Sequence, residues 1–374
     1  MGPLSFGLRR GHVAGVIALF LFILAVESPS VGQEEAPNPR LAQRPPAMPP
    51  RVVIGDGRIK LDVVVNDSLG KAVTGLGPWD FKILDNGQPR KVMSFHTYDG
   101  VQVKPDPPVE VILVMDLMNL PFQQVAFVRG ELNEFLRQDG GQLKQPLTLV
   151  VLNDKGIRVQ PRPSTDGNAI ASALNGVEGT VRILDPVMGG DGYVERFQRS
   201  ARAIDNIAQN ELKKPGRKLL IWAGPGWPML NRPSDGYTET QQKRNFDGIV
   251  ELSTALREAR ITVYSVEPGG ATGGNALVYQ QFLKGVKTYH DAVSGNLGLK
   301  VLVTQTGGKI MGPSNDLVSQ IDACLEDANA FYRISFDPVV AEQADEYHDL
   351  KVMVNKPGTT ARTMTGYYNQ PADH

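Results

Sequence analysis

Cysteine is almost absent from this chain: of 374 residues, Cys324 is the only one. That excludes an intramolecular disulfide, and it excludes lipid attachment at a cysteine that follows a leader. A surplus of positive charge is also missing. Lys and Arg number 39 against 40 Asp and Glu, a formal net charge of −1, whereas a nucleic-acid partner calls for a basic face and usually an excess of Lys and Arg. Nucleic acid is therefore set aside. Histidine is scarce, with five in the chain. His96, His290 and His348 lie in its interior, none of them in a His-Glu-x-x-His arrangement, and no serine sits in a Gly-x-Ser-x-Gly elbow. Gly269-Gly270-Ala271-Thr272-Gly273-Gly274 lacks the Lys-Ser/Thr ending of a phosphate loop. With no nucleophile–base pair in view, a secreted hydrolase is the weakest of the functional readings, and the chain is expected not to be an enzyme.

What is present begins with an export signal. Arg9-Arg10 precede an uncharged, mostly apolar stretch from Val13 to Val26, too short to span a bilayer comfortably and shaped like the core of a secretory leader. Ser28, Ser30 and Gly32 place cleavage before Gln33, so residues 1–32 read as a signal peptide and the mature protein as secreted or periplasmic. A membrane enters only if the leader stays uncleaved. Residues 33–50 are rich in proline and poor in large apolar side chains, the composition of an extended linker.

Residues 51–106 alternate as strands do, with Ile59, Leu61, Val63 and Val65 on one face and Asp85-Asn86-Gly87 as a hairpin signal. The segment Val109 to Leu120 is different. It is a continuous apolar run that ends on Asp116, the pattern of a strand covered on both faces, and in such sheets ligands lie beyond the carboxyl ends of the strands. Strand and helix then alternate. Gln123–Arg137, Tyr193–Leu212, 238–259 and Asn315–Asn329 read as helices, while Leu147–Leu152, Arg217–Trp222 and Ile261–Val266 read as strands. Asp166 or Thr165 is placed to cap a helix running to Leu174. Glu267–Asn296 is long for a connection and reads as a flexible or functional excursion.

Asp116-Leu117-Met118-Asn119-Leu120, at the end of the first buried strand, resembles the start of a von Willebrand factor type A (VWA) domain, where the strand runs into Asp-x-Ser-x-Ser. Further motifs narrow the resemblance to the acidobacterial type of VWFA-related domain. They are Leu61-Asp62-Val63-Val64-Val65-Asn66-Asp67, Trp79-Asp80-Phe81-Lys82-Ile83-Leu84-Asp85-Asn86-Gly87, Thr306-Gly307-Gly308, Phe331-Tyr332-Arg333-Ile334-Ser335-Phe336, His348-Asp349-Leu350-Lys351-Val352 and Gly366-Tyr367-Tyr368. The resemblance implies an α/β fold: a doubly wound, mostly parallel sheet with helices on both faces over 107–329. To this the residues add a small β-sandwich formed by pairing strands of 51–106 with those of 330–368, namely Ala330–Phe336, Leu350–Asn355 and Ala361–Tyr367. Residues 369–374 form a tail.

The resemblance also implies a degenerate metal-dependent adhesion site. The serine positions hold Leu and Met, Gly179-Thr180 resembles the loop that supplies a threonine, and Ala223 stands where the fourth strand would end in aspartate. A hard cation needs about six oxygen ligands, so no cofactor is expected. The alternative is weak Mg²⁺ or Mn²⁺ binding by Asp116, Asn119 and Thr180, helped by Asp185 or Asp191. A structural reading stands beside both: Asn119 caps the next helix and Asp116 accepts backbone N–H bonds. Cys324 falls on an apolar helical face and reads as an inert buried thiol. Trp222 reads as core and Trp227 as an exposed anchor. The function expected is non-catalytic binding of a protein partner through Asp116, Asn119, Thr180 and Trp227.

Overall fold

A computed structural model of the chain describes residues 57–177, 189–227, 237–269 and 278–371. The expected signal peptide and linker, Thr180, Asp185 and the Asp191 side chain lie outside these residues. The chain opens with β1 (Ile59–Asp67), β2 (Phe81–Asp85), β3 (Gln88–Arg90) and β4 (Val92–Tyr98). The middle of the chain starts with β5 (Glu110–Asp116), α1 (Phe122–Arg137), β6 (Gln142–Asn153), β7 (Gly156–Val159), β8 (Ser164–Asp166) and α2 (Gly167–Asn175). It continues through α3 (Gly189–Glu211), β9 (Lys218–Ala223), α4 (Glu239–Glu258), β10 (Ile261–Val266), α5 (Leu299–Gln305) and α6 (Leu317–Asn329). Last come β11 (Phe331–Phe336), β12 (Glu346–Val354), β13 (Thr359–Arg362) and β14 (Gly366–Asn369).

The fold is mixed α/β. Its largest sheet runs β10-β9-β5-β6-β7, with β8 also on β6. β10, β9, β5 and β6 are mutually parallel, while β7 and β8 are antiparallel to β6. All seven residues of β5 are buried, because successive side chains point to opposite faces and both faces are covered. Val111, Leu113 and Met115 join a core with α1, α2 and α6 residues such as Leu132, Ala171 and Ile321. Ile112 and Val114 join the other, with α3, α4 and α5 residues such as Ile204, Leu256 and Leu302. The sheet order reverses between β5 and β9, so the ends of those two strands form its topological switch point.

The two ends of the chain are interleaved. β1 lies between β11 and β13 in a four-stranded sheet completed by β4, and β12 lies between β14 and β2 in another completed by β3. Leu61, Val63 and Ile83 from the start of the chain share one core with Ile334, Phe336, Leu350 and Tyr367 from its end. The segment expected as one strand, Ala361–Tyr367, is two. β13 pairs with β1 and β14 with β12, so the chain crosses between sheets at Thr363–Thr365, where the Thr365 N–H donates to the Gln305 carbonyl at 3.0 Å.

The Glu267–Asn296 excursion is likewise revised over its described part. Val286 and Ala292 pack against Ile249 and Val250 of α4 and Tyr368 of β14, and the Tyr368 hydroxyl donates to the Val286 carbonyl at 3.0 Å. Apolar side chains on both sides, rather than loop composition, decide its order. Asp166 caps α2 by accepting from the Ala169 N–H at 2.9 Å. Cys324 is fully buried, and burial pushes its thiol up to about 12. No helix among the described residues is long and apolar enough to cross a membrane.

Asp327, at the end of α6, ties the terminal sheets to the middle of the chain. It is 1% exposed. The Arg362 guanidinium of β13 donates to both of its oxygens at 2.8 Å, Lys309 lies 3.0 Å away, and the Tyr264 hydroxyl of β10 donates at 2.8 Å. Burial works against the charged form, but Arg362 and Lys309 outweigh it and hold the carboxyl below its ordinary 3.8. A depressed folded-state value means that this contribution is present above 3.8 and is lost as pH falls through the folded value. Asp327→Asn removes the buried charge that two partly buried cations share. In urea unfolding it is expected to cost about 1–3 kcal/mol at neutral pH and to flatten the loss of stability on acidification.

Candidate functional site

Asp116 ends β5 at the switch point, between Leu152 of β6, its register partner, and the end of β9, where Ala223 lies beside Met115. The chain leaves β9 through Gly224, whose φ is 155°. A Cβ there would come within 2.9 Å of the Asp116 Cβ, so only glycine lets this turn pass over the aspartate.

Asp116 is fully buried, and the protein provides every hydrogen bond it accepts. The backbone N–H groups of Met118 and Asn119 donate to Oδ1 at 3.1 and 3.0 Å. The Asn119 carboxamide and the Trp222 indole donate to Oδ2 at 2.8 and 2.9 Å. Asn119 Nδ2 also donates to the Ser200 hydroxyl of α3 at 3.0 Å, which spans the switch point from β5 to α3. Burial nevertheless outweighs these four bonds and pushes the Asp116 carboxyl above its ordinary value.

Behind this network Trp222 meets Trp227 edge to face, ring centres 5.0 Å apart, and the Trp227 indole donates to the Leu297 carbonyl at 3.0 Å. Trp227 is 4% exposed, so it is not the surface anchor expected. Its ring closes the apolar core under α5, and its one polar atom is already used. The expected cap by Asn119 is also corrected: Pro121 holds the N-cap position of α1, and the Asn119 amide turns back to Asp116 instead. The backbone bonds to Asp116 are as the structural reading has them.

A cation would need lone pairs directed at it, but both Asp116 oxygens already face N–H donors, two of them from the indole and carboxamide. Among the described residues no group of three or more His, Cys, Asp or Glu could hold a metal ion. Of the residues expected at the site, Asp116 and Asn119 come together and Trp227 stands one ring behind, while Thr180 lies outside the described residues.

Trp222 and Ser200 are members that the sequence did not assign. Ser200 is a fully buried hydroxyl on the otherwise apolar stripe of α3 that carries Phe197, Ile204 and Ala208, and a polar residue on such a stripe was the available signal. A second buried polar cluster also went unread. Asp85 accepts from the Tyr367 hydroxyl at 2.8 Å and the Val339 N–H at 2.7 Å, with His348 Nδ1 2.9 Å away. All three side chains are enclosed at 2% exposure or less, so this cluster ties β2, β12 and β14 together within one sheet and is sealed from solvent.

Beside the buried network the surface turns apolar. Phe122, the first residue of α1, is 62% exposed and lines a shallow concavity with Val125, Ala126, Arg129 and Gly130.

No family model matches the sequence, and no curated protein matches it. Among solved structures it is similar to the human COPII-coat protein Sec24c, with a TM-score of 0.32 and 12% identity over 71% of this chain and 44% of that one. It is also similar to proximal thread matrix protein 1 from the mussel byssus, with a TM-score of 0.34 and 9% identity over 59% of this chain and 48% of that one. The chain thus spans less than half the length of either.

An amide in place of the aspartate cannot accept from four donors in either orientation. Asp116→Asn is therefore expected to cost about 1–3 kcal/mol by urea unfolding. Trp222→Phe is expected to cost a similar amount, and the double mutant less than the sum, because both remove the same bond. The raised folded-state value of Asp116 makes its contribution fully present below 3.8 and lost as pH rises through the folded value. Stability measured against pH should show that decline in the wild type and not in Asp116→Asn.

Proposed function

We propose that this chain is an exported, non-catalytic interaction protein. In this reading its middle is a von Willebrand factor type A-like domain of the VWFA-related type, set into a small β-sandwich made by the chain's two ends. It binds a protein partner at the carboxyl edge of the parallel sheet, without a tightly held metal. The observation that carries the reading is the exposure of Phe122 beside a switch point whose acid is fully occupied from within. In a sheet of this order the switch point is where ligands are received, and a large exposed aromatic at such a place is the residue type that anchors protein partners.

The roles of the expected residues change accordingly. Asp116 and Asn119 hold the turn that launches α1 and so fix where Phe122 projects, while Trp227 braces the β9 turn from inside. The metal-dependent version, with Asp116, Asn119 and Thr180 as ligands, is disfavoured by the N–H donors that surround Asp116. Absence of catalysis is supported by the enclosure of Asp116 and of the Asp85–His348–Tyr367 cluster, since a catalytic group has to reach its substrate. Export rests on the leader-like residues 1–32.

The reading is tested by capture from an envelope fraction with the mature chain, comparing wild type with Phe122→Asp. The variant should lose the captured partner by at least about tenfold, as expected for an anchor residue, while its unfolding midpoint stays unchanged because the side chain is solvent-facing. Equal capture by both proteins contradicts the proposed face. Retention of the protein in the cytoplasm, after expression with residues 1–32 in place, contradicts the proposed location.

A further inference from the structure

Two of the most exposed large apolar side chains, Leu69 at 92% and Trp79 at 79%, stand at one end of the terminal sheets. Leu69 sits in the turn that follows β1, and Trp79 just before β2. Strand pairing puts both turns at the same end. Asp67, the last residue of β1, pairs with Thr359, the first of β13, and Phe81, the first of β2, pairs with Val354, the last of β12. The link 355–358 joins β12 to β13, so it runs from beside the Trp79 turn to beside the Leu69 turn. At its start the Asn355 N–H donates to the Asp80 carbonyl at 2.8 Å.

Local bonds shape both turns. The Asp67 carboxylate accepts from the Leu69 and Lys71 N–H groups, each at 2.9 Å, and the Asp80 carboxylate accepts from the Gly77 N–H at 2.8 Å. The Trp79 ring lies against Gly77, where a Cβ would come within 2.5 Å of it, so the missing side chain lets the indole rest on the backbone. Both acids of these turns are thus directed at backbone N–H groups. The cations are not engaged in this way. Lys71, Lys82 and Lys356 are exposed, and among the described residues no ion pair or hydrogen bond occupies their ammonium groups. Three cations against the two acids leave this end with one net positive charge and two projecting apolar side chains.

We propose that this end of the protein docks on an anionic lipid surface, with Trp79 and Leu69 entering the headgroup layer and Lys71, Lys82 and Lys356 facing the lipid phosphates. The chemistry of the side chains selects the occupant. An indole favours the membrane–water interface, where its ring is in apolar surroundings and its N–H stays wet. Leu69 adds apolar area buried at the same depth, and each lysine near an anionic surface is attracted to it. Anchors of protein interfaces are enclosed by a packed rim, whereas Leu69 and Trp79 project from separate turns. A fluid headgroup layer closes around each without such a rim. None of these residues belongs to the Phe122 face, so the inference goes beyond the partner-binding reading and does not depend on it.

The experiment is co-sedimentation and tryptophan fluorescence of the mature chain with vesicles of phosphatidylcholine, alone or mixed with phosphatidylglycerol. Of the three tryptophans, Trp222 and Trp227 are buried and Trp79 is exposed, so a change of emission on binding reports Trp79. The expected result is co-sedimentation and a blue shift with the mixed vesicles, weakened by added salt and far weaker with phosphatidylcholine alone. Trp79→Ala should abolish the shift and weaken binding by about tenfold, the loss of one buried large apolar side chain. Lys356→Gln should weaken it by about fivefold. Both positions are solvent-facing, so an unchanged unfolding midpoint separates lost docking from lost fold, and Phe122→Asp should still bind. Absence of a blue shift with the mixed vesicles overturns the proposal, as does equal binding by wild type and Trp79→Ala. Trp79-dependent binding seen only on envelope membranes, and removed by digesting their proteins, assigns this end to a protein partner and overturns it too.

Discussion

A carboxyl sealed from water can recover its lost hydration only from the protein, and at the end of β5 four N–H donors converging on Asp116 offset part of that cost. The positions of several elements follow from it. The turn after β5 is drawn back on itself, the Asn119 carboxamide is tied to α3 through Ser200, and the Trp222 ring is oriented so that its indole faces β5. Gly224 is needed because the chain then passes directly over the aspartate. Trp227 packs on the back of Trp222. Among the described residues, the switch point is built from N–H donors gathered around one carboxyl group.

The second constraint acts on the whole chain. β1 finds its strand partners at the far end of the chain, in β11 and β13. The first strand therefore becomes part of a finished sheet only when the last strands arrive. Asp327 locks that arrangement to the middle of the chain through Arg362, Lys309 and Tyr264. Asp62 repeats the device on the other side with Arg260. Buried charges of this kind are costly unless every partner is present, which makes the junction between terminal strands and α/β body sensitive to single substitutions.

Much of the α/β body was legible because burial on two faces leaves a plain mark. The run from Val109 ended as a strand on Asp116, and the 3.6-residue spacing of Val125, Val128, Leu132 and Leu136 gave α1. Contacts between polar groups were not legible. Trp222 and Asp116 are 106 positions apart, and an aromatic at the end of a buried strand looks the same whether or not its nitrogen has work to do. Trp227 was expected outside because Gly224-Pro225-Gly226 reads as surface turn, but ring packing drew it inward. Ala361–Tyr367 read as one strand because alternation does not reveal a change of partner. Asn119 had the right residue type for a cap, and the competing acceptor at Asp116 won its amide.

The proposal that Asp116 is served by donors and not by a cation is tested most directly at the Trp222 indole N–H. In a ¹H–¹⁵N spectrum that proton should be shifted downfield by its carboxyl acceptor, exchange slowly with solvent, and remain unchanged in position and linewidth when Mg²⁺ or paramagnetic Mn²⁺ is added to millimolar concentration. Saturable broadening by Mn²⁺ that Mg²⁺ competes away would place a metal at Asp116 and contradict the account.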